Sequence, residues 1–320
     1  MKLQGLARVR NEGDVIEEFV RHNLRFLDGL TVVDHASVDG TLAVLHALAA
    51  EGLPLTVVSD PAPLRLQSET MTYWSHRLLA ERAWDFLFLL DADEFLKAAS
   101  REALIASLAA VPPGTHCMLP WSSYVPTAED DAPARDVLRR IRFRRLHEFE
   151  PGICKAVLAR AAARETEFWV AEGNHSIEGT GGATPHAIPN GVSLAHFPVR
   201  SVAQIQAKVL VGWSSYLALG YDENAYGWHQ ERLFRELESS AAWTERDLQR
   251  IATLYCDPER SQPADLVLDP MPPVDGVRYR GAAVVGPHEF AARYVRQLAE
   301  IIASGERHGA SSLPEKALLA

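Results

Sequence analysis

A chain of 320 residues with 47% hydrophobic side chains carries enough apolar material for one large α/β domain, with or without a helical appendage. Its formal charge of −10 argues against non-specific nucleic-acid binding, so an anionic ligand must be held by local groups. No apolar run reaches the roughly 18 to 20 residues of a membrane span, and the N-terminus MKLQGLARVR lacks a signal peptide's apolar centre. The three cysteines, Cys117, Cys154 and Cys256, fit neither a disulfide framework nor a metal spacing, so a reduced, cytoplasmic protein is expected.

The first hundred residues alternate. LQGLARVR reads as a strand, VIEEFVRHNLRFL has the i, i+3, i+4 apolar spacing of an amphipathic helix, and GLTVVDHAS reads as a second strand. GTLAVLHALAAEG is then a helix ended by Gly52, LPLTVVSD a third strand, ETMTYWSHRLLAERA a helix and WDFLFLLDADEFL a fourth strand. Continuous apolar strands alternating with helices imply a doubly wound, mostly parallel sheet with helices on both faces. Ligands bind such sheets beyond the carboxyl ends of the strands. Here those ends read RNEGD, DHASVDG, SDPAP and DADE, all facing one crevice.

The second half is less regular. EALIASLAAV reads as a helix and THCMLPWSSYVP as a strand, followed by VLRRIRFRRLHEF with Arg139, Arg140, Arg142, Arg144 and Arg145 close together. ICKAVLAR and VSLAHFPV are further strands around the Gly-rich stretch EGNHSIEGTGGATPHAIPNG. From SVAQIQAKVLVGW to about residue 256 the pattern is helical, the Pro-rich PERSQPADLVLDPMPPVDG should wrap over the surface, and HEFAARYVRQLAEIIASGE is a last helix before a polar tail. The expected organisation is a ligand-binding α/β domain over 1–212 and a helical extension over 213–320.

FLFLLDADEF runs five apolar residues into Asp91, Asp93 and Glu94. On an ideal strand, residues two apart point to one side, so Asp91 and Asp93 could reach one divalent cation while Glu94 faces away and serves supporting hydrogen bonds. Hard oxygen ligands favour Mg²⁺ or Mn²⁺, with substrate phosphates completing the shell. The bland alternative is a helix cap by either aspartate.

With these residues in view, the chain resembles the family 2 glycosyltransferases, in particular the branch with a DxDEF signature. The matching segments are ARVRNEGDVIEEFVRHN (7–23), VDHASVDGT (33–41), LLDADEFL (89–96) and AHFPVRSVAQIQAKVLVG (195–212), in the expected order. The resemblance implies a GT-A fold, a nucleotide-sugar donor, a divalent cation and transfer with inversion at the anomeric carbon. It also implies that Arg8, Asn11 and Glu12 frame the donor nucleotide, although Asn11 and Glu12 could instead cap the next helix. Asp34 is expected on base or ribose and Asp39 as a helix-starting residue. Arg77 matches a donor-contacting basic position, with a solvated arginine as the alternative.

His196 is implied as a further metal ligand, an imidazole being better suited to Mn²⁺ than to Mg²⁺. Arg200 beside a helix N-terminus suits a diphosphate, and helix-surface solvation would explain Gln204 and Lys208 equally well. Inverting transfer needs a base for the acceptor hydroxyl. The family's acidic base is not obvious here; Glu172 ranks first and His175 second, both in WVAEGNHSIEG, and Lys155 could approach phosphate or acceptor or be a surface charge. The acceptor is a glycan, a polysaccharide or a lipid-linked saccharide; the last would bring the protein to the inner membrane face, where the Arg139–Arg145 cluster could assist. Trp121, Tyr124, Trp169, Trp213 and Trp228 could stack on sugars, with core packing the better expectation for most. Two other classes compete: a catalytically silent sugar-nucleotide or glycan binder, and a phosphatase with Asp91 as nucleophile.

Overall fold

The computed structural model describes residues 1–61, 67–81, 84–130, 136–150, 152, 154–165, 167–180, 182–219, 228–239, 243–256, 266–279 and 287–304. The start of the Pro-rich segment, the end of the helix expected up to Ala83 and the polar tail lie outside the described residues, as does the side chain of Trp228. The expected β-α-β-α alternation is present: β1 (Leu3–Val9), α1 (Ile16–Asn23), β2 (Gly29–His35), α2 (Thr41–Ala50), β3 (Leu55–Asp60), α3 (Gln67–Ala80) and β4 (Phe86–Leu90). These four strands are parallel in the spatial order β3-β2-β1-β4, with Val9 opposite Asp34, Asp34 opposite Ser59 and Ala7 opposite Leu90. Their carboxyl ends therefore share one edge.

Burial explains why the strands lack alternation. Leu3, Ala7 and Val9 of β1 pack with Phe19 of α1, Leu45 of α2 and Leu104 of α4 (Arg101–Ala109) on one face. Leu6, Val33, Leu87 and Leu89 pack with Met71 and Leu78 of α3 on the other. A strand covered on both faces must be apolar at every position.

Beyond β4 the sheet becomes mixed. After β5 (Glu94–Lys97) come β6 (His116–Val125), the short helix α5 (Val137–Arg140), β7 (Phe143–Arg145), β8 (Cys154–Ala159) and the short helix α6 (Arg160–Ala163). β8 joins β4 to β6 by antiparallel pairs, and β7 follows β6. A small separate sheet holds β9 (Phe168–Val170), β10 (Ile177–Gly179) and β11 (Gly182–Ala183), while β12 (His186–Ala187) runs parallel to β6. β13 (Ser193–His196) lies between β5 and β6, with His196 opposite both Glu94 and Ser123. That pairing delivers His196 to the acidic turn.

α7 (Val202–Leu219), α8 (Trp228–Glu238) and α9 (Leu248–Cys256) form a second core around Ile205, Val209, Leu233 and Ile251, and α7 runs through the expected boundary at residue 212. The extension is not wholly helical. Leu266–Leu268 forms β14 against β7, and Met271 and Val274 enter the main core, because LVL supplies an extended apolar edge within the Pro-rich stretch expected to wrap the surface. The last helix, α10 (Pro287–Ser304), bonds the loops after β1 and β2 through Arg10–Gln297 at 3.1 Å, Gln297–Ala36 O at 2.9 Å and Arg293–Val38 O at 3.0 Å. No helix among the described residues is long and apolar enough to cross a membrane.

Candidate active site

β4 ends at Leu90, and residues 91–93 form a turn closed by the Glu94 N–H on the Asp91 carbonyl at 3.1 Å. The strand geometry expected for Asp91 and Asp93 is therefore replaced by a turn, which sends the two carboxylates to different neighbours. The cause is β5, which pairs with β13 instead of extending β4. The same turn corrects the expectation for Glu94: its fully buried carboxylate folds back to accept the Asp91 N–H at 2.9 Å instead of facing away.

Asp91 accepts from Lys155 Nζ at 2.5 Å, Gln67 Nε2 at 3.3 Å and Asn174 Nδ2 at 3.4 Å. Lys155 is 1% exposed and also reaches the Gly173 carbonyl at 2.7 Å and Glu94 Oε1 at 3.2 Å. Two hydrogen bonds and one ion pair thus tie its ammonium to the acidic turn and to the Gly173 turn. Burial alone would lower the Lys155 pKa, but Asp91 and Glu94 outweigh it and leave it raised. Burial pushes Glu94 up to about 8 against the pull of Lys155.

Asp93 sits in a different charge cluster. Its 3%-exposed carboxylate accepts from Lys208 Nζ at 2.6 Å, with Arg200 Nη1 at 3.7 Å and His196 Nε2 at 3.8 Å. Burial would raise its pKa; Lys208, His196 and Arg200 more than offset that and hold it well below the carboxylate range. Burial likewise lowers His196 to about 4, so its imidazole is neutral at pH 7. The ring stacks on Trp121 at 4.5 Å and its buried Nδ1 has no hydrogen-bond partner among the described residues.

A carboxylate beside a neutral imidazole suits a borderline-hard divalent cation, Mn²⁺ more than Mg²⁺. Among the described residues no group of three or more His, Cys, Asp or Glu stands ready to hold a metal ion. Asp93 and His196 are the adjacent pair, Asp91 is engaged by Lys155, and further ligands would come from phosphate or water.

The nucleotide-side residues divide as clearly. Asp34, 1% exposed at the end of β2, accepts the Ser37 N–H at 3.2 Å through Oδ2, while buried Oδ1 has no hydrogen-bond partner among the described residues. Burial raises its pKa. Asp39 accepts from the Thr41 N–H at 2.9 Å and from Gly13 N–H at 3.0 Å, a helix-starting role. Asn11, at φ 57°, spends its side-chain oxygen on the Val38 N–H at 2.8 Å, tying one loop to the next and leaving that oxygen engaged instead of framing a base. Arg8 lies on β1 opposite Val33, partly buried.

The expectation for Arg200 is corrected. Arg200 is fully buried, donating to Asp14 at 2.7 and 2.8 Å, to Glu12 at 2.5 Å and to the Phe197 carbonyl at 3.0 Å, so it clamps the loop after β1 and offers a diphosphate no exposed face. Glu12 is the other half of that clamp, its carboxyl pushed up to about 7 by burial despite Arg200. Arg77 pairs with Glu81 at 3.5 Å on α3, both side chains 54% exposed, and lies over Trp74 at 5.1 Å.

The stretch Glu172–His175 does arrive beside Asp91. Gly173 at φ 73° and Asn174 at φ 60° turn it sharply, and a Cβ on Gly173 would lie 2.5 Å from the His175 ring. His175 Nδ1 lies 3.0 Å from the Cys154 carbonyl, which can only accept, so Nδ1 carries the proton and Nε2 the lone pair. Burial, then Lys155, lowers its pKa. Its ring meets Trp121 edge-on at 5.5 Å and lines a cavity of about 380 Å³ with Met118, Gly152, Cys154, His186 and Ile188, a size in the roughly 300–1,000 Å³ range of ligand sites. Glu172 is half-buried in the same turn.

Sequence reasoning undervalued Lys155 and Lys208. The signal available for Lys208 was its place two turns after Ser201 on the helix that follows His196. The arginine cluster is largely consumed internally: Arg140 bonds the Arg200 carbonyl at 2.6 Å, Arg142 the Glu129 carbonyl at 3.0 Å and Arg144 Asp269 at 2.6 Å, while Arg145 is fully buried. Arg139 is the exposed member of the cluster. Trp121, Tyr124 and Trp213 are buried, and Trp169 is exposed with its Nε1 on Glu178 at 3.0 Å.

No protein-family model and no curated protein matches the chain. Among solved structures it is similar to S. aureus TarS 1-349 in complex with UDP-GlcNAc, at 12% identity and a TM-score of 0.38 over 97% of this chain and 93% of that one. It is also similar to a mannosyltransferase of Pyrobaculum calidifontis in complex with GDP-Man and Mn²⁺, at 16% identity and a TM-score of 0.39 over 93% and 87%. Glucosyl-3-phosphoglycerate synthase from Mycobacterium tuberculosis matches at 20% identity and a TM-score of 0.27 over 38% and 44%. The chain spans 43% of a longer TarS structure. With so little shared sequence, the functional reading rests on this chain's own side chains.

Proposed function

We propose that the protein is a GT-A, family 2 glycosyltransferase that moves a sugar from a nucleotide-diphosphate donor to a hydroxyl of a saccharide or lipid-linked acceptor, with inversion and with Mn²⁺ or Mg²⁺. The observation that carries this reading is the Asp91–Asp93 turn at the carboxyl edge of the parallel sheet, with His196 3.8 Å from Asp93 and an unpartnered Asp34 oxygen one strand further along.

In this reading Asp34 Oδ1 accepts from a ribose hydroxyl or a base N–H. Asp93 and His196 would hold the cation, which when bound would offset charge on the departing diphosphate. The acceptor hydroxyl enters the cavity beside His175, whose Nε2 takes its proton as the oxygen attacks the anomeric carbon and the bond to the diphosphate breaks. Glu172, ranked first from sequence, becomes second because His175 has both the fixed tautomer and the cavity. Asp91 holds Lys155 and Asn174 in place and so keeps the base-bearing turn against the donor side.

A thermal-shift panel of nucleotide sugars with and without Mn²⁺ tests the proposal, since a ligand that binds the native state raises its apparent stability. A donor should shift the melting temperature only with Mn²⁺, and Asp93→Asn should abolish the shift. No shift with any donor would overturn the reading, and phosphomonoester cleavage through an aspartyl intermediate would replace it with the phosphatase.

A further inference from the structure

Three cations surround the two aspartates of the acidic turn, and they differ in freedom. Lys155 is 1% exposed and locked on Asp91, Glu94 and the Gly173 carbonyl. Arg200 is fully buried and committed to Asp14, Glu12 and the Phe197 carbonyl, so it approaches Asp93 only to 3.7 Å. Lys208 is different. Its side chain is 24% exposed, it sits on α7 at the end of a flexible stem, and its hydrogen bond among the described residues goes to Asp93 at 2.6 Å. Its ammonium also lies 5.6 Å from the centre of the Tyr255 ring.

We infer that Lys208 is the resident counter-ion of Asp93 in the ligand-free protein, and that it transfers to the donor's diphosphate when a divalent cation takes Asp93. The inference rests on the glycosyltransferase reading and names how its donor site fills. An Asp93 carboxylate that is 3% exposed cannot stay charged without a partner, because an uncompensated buried charge costs several kcal/mol. Arg200, at 3.7 Å, supplies only a longer ion pair to Asp93 while it holds the loop after β1. A divalent cation and Lys208 together carry three positive charges, and Asp93 with a sugar nucleotide's diphosphate carries three negative ones. Donor and cation entering together therefore leave the centre neutral, whereas a cation entering alone would face an ammonium already seated on its carboxylate. Lys208 thus opposes the metal without donor and favours the donor once the metal is there.

The two effects have opposite signs, which separates them from simple structural damage. Mn²⁺ binding to the nucleotide-free full chain would be measured by electron paramagnetic resonance or calorimetry for wild type, Lys208→Met and Lys208→Arg. Removing the ammonium should tighten Mn²⁺ binding about tenfold or more, equivalent to roughly 1.4 kcal/mol, and Mn²⁺ should raise the melting temperature of Lys208→Met more than that of wild type. In saturating Mn²⁺ the same variant should bind UDP or GDP, whichever wild type binds, at least tenfold more weakly; Lys208→Arg should resemble wild type in the first measurement. Wild type that binds Mn²⁺ and nucleotide, with Lys208→Met no tighter for Mn²⁺, overturns the Lys208 inference and leaves the transferase reading standing. Wild type that binds neither overturns both.

Discussion

Replacing Lys155 by methionine tests how the acidic turn is held. Methionine is similar in length, so the main loss is the ammonium with its contacts to Asp91 at 2.5 Å, to the Gly173 carbonyl at 2.7 Å and to Glu94 at 3.2 Å. Breaking a wholly buried pair costs about 3–5 kcal/mol when a naked charge remains. Here the residue left behind is better protected on both sides. Asp91 keeps a side chain 32% exposed and can take water, and Glu94, already pushed up to about 8, can stay protonated at pH 7. What remains is one orphaned carbonyl and one lost charge-assisted bond, each worth roughly 1–3 kcal/mol, against the relieved desolvation of the ammonium. The expected loss is about 2–3 kcal/mol at pH 7, read from urea titration followed by tryptophan fluorescence. The pH dependence sharpens this. A carboxyl whose folded pKa is raised stabilises the fold at low pH and loses that contribution as pH rises through the folded value. In wild type the loss ends near 8; without Lys155 the Glu94 carboxyl goes higher, so the gap between the two proteins should widen from pH 8 to 9. A gap under about 0.5 kcal/mol at pH 7, parallel to wild type up to pH 9, would refute the claim that Lys155 secures the turn.

Gly173→Ala forces a Cβ into a φ of 73° and to 2.5 Å from the His175 ring, so the ring must move. Stability should fall by about 1–3 kcal/mol, and turnover should drop at least tenfold while nucleotide affinity stays within threefold; undiminished turnover would remove His175 from the proposed base role. His22, which lies 2.8 Å from the Leu96 carbonyl through Nε2, is lowered to about 4 by burial. Its depressed pKa means that the unfolded chain binds the extra proton between about 6.5 and 4. Acidification should therefore cost wild type up to about 3 kcal/mol that His22→Gln escapes, visible as a narrowing stability gap from pH 7 to 4 in denaturant titrations. Identical slopes for the two proteins would reject the buried neutral imidazole.

What could be read from the sequence follows the range of the interactions involved. A strand buried on both faces is apolar throughout, and the chain must leave the core at its end, so β1, β2, β3 and β4 and the polar residues after them were visible locally. Charge partners were not. Lys155 finds Asp91 across 64 residues, Lys208 finds Asp93 across 115 and Arg200 finds Asp14 across 186, and no periodicity in a window of 15 encodes such pairs. Arg77 shows the opposite case: its ion-pair partner Glu81 is one helical turn away, a spacing visible in the sequence. The turn at Asp91–Asp93 combines both ranges. Its apolar lead-in is local, but the break in the strand depends on β13, a hundred residues later, pairing with β5 and placing His196 opposite Glu94. One consequence is that the two aspartates, adjacent in any sequence motif, are electrostatically different residues: Asp91 is fixed to a lysine that cannot leave, and Asp93 to one that can. A motif that treats the pair as one chelating unit would miss this division, and the contrast between Lys155→Met and Lys208→Met, the first read in stability and the second in metal affinity, is where it would show.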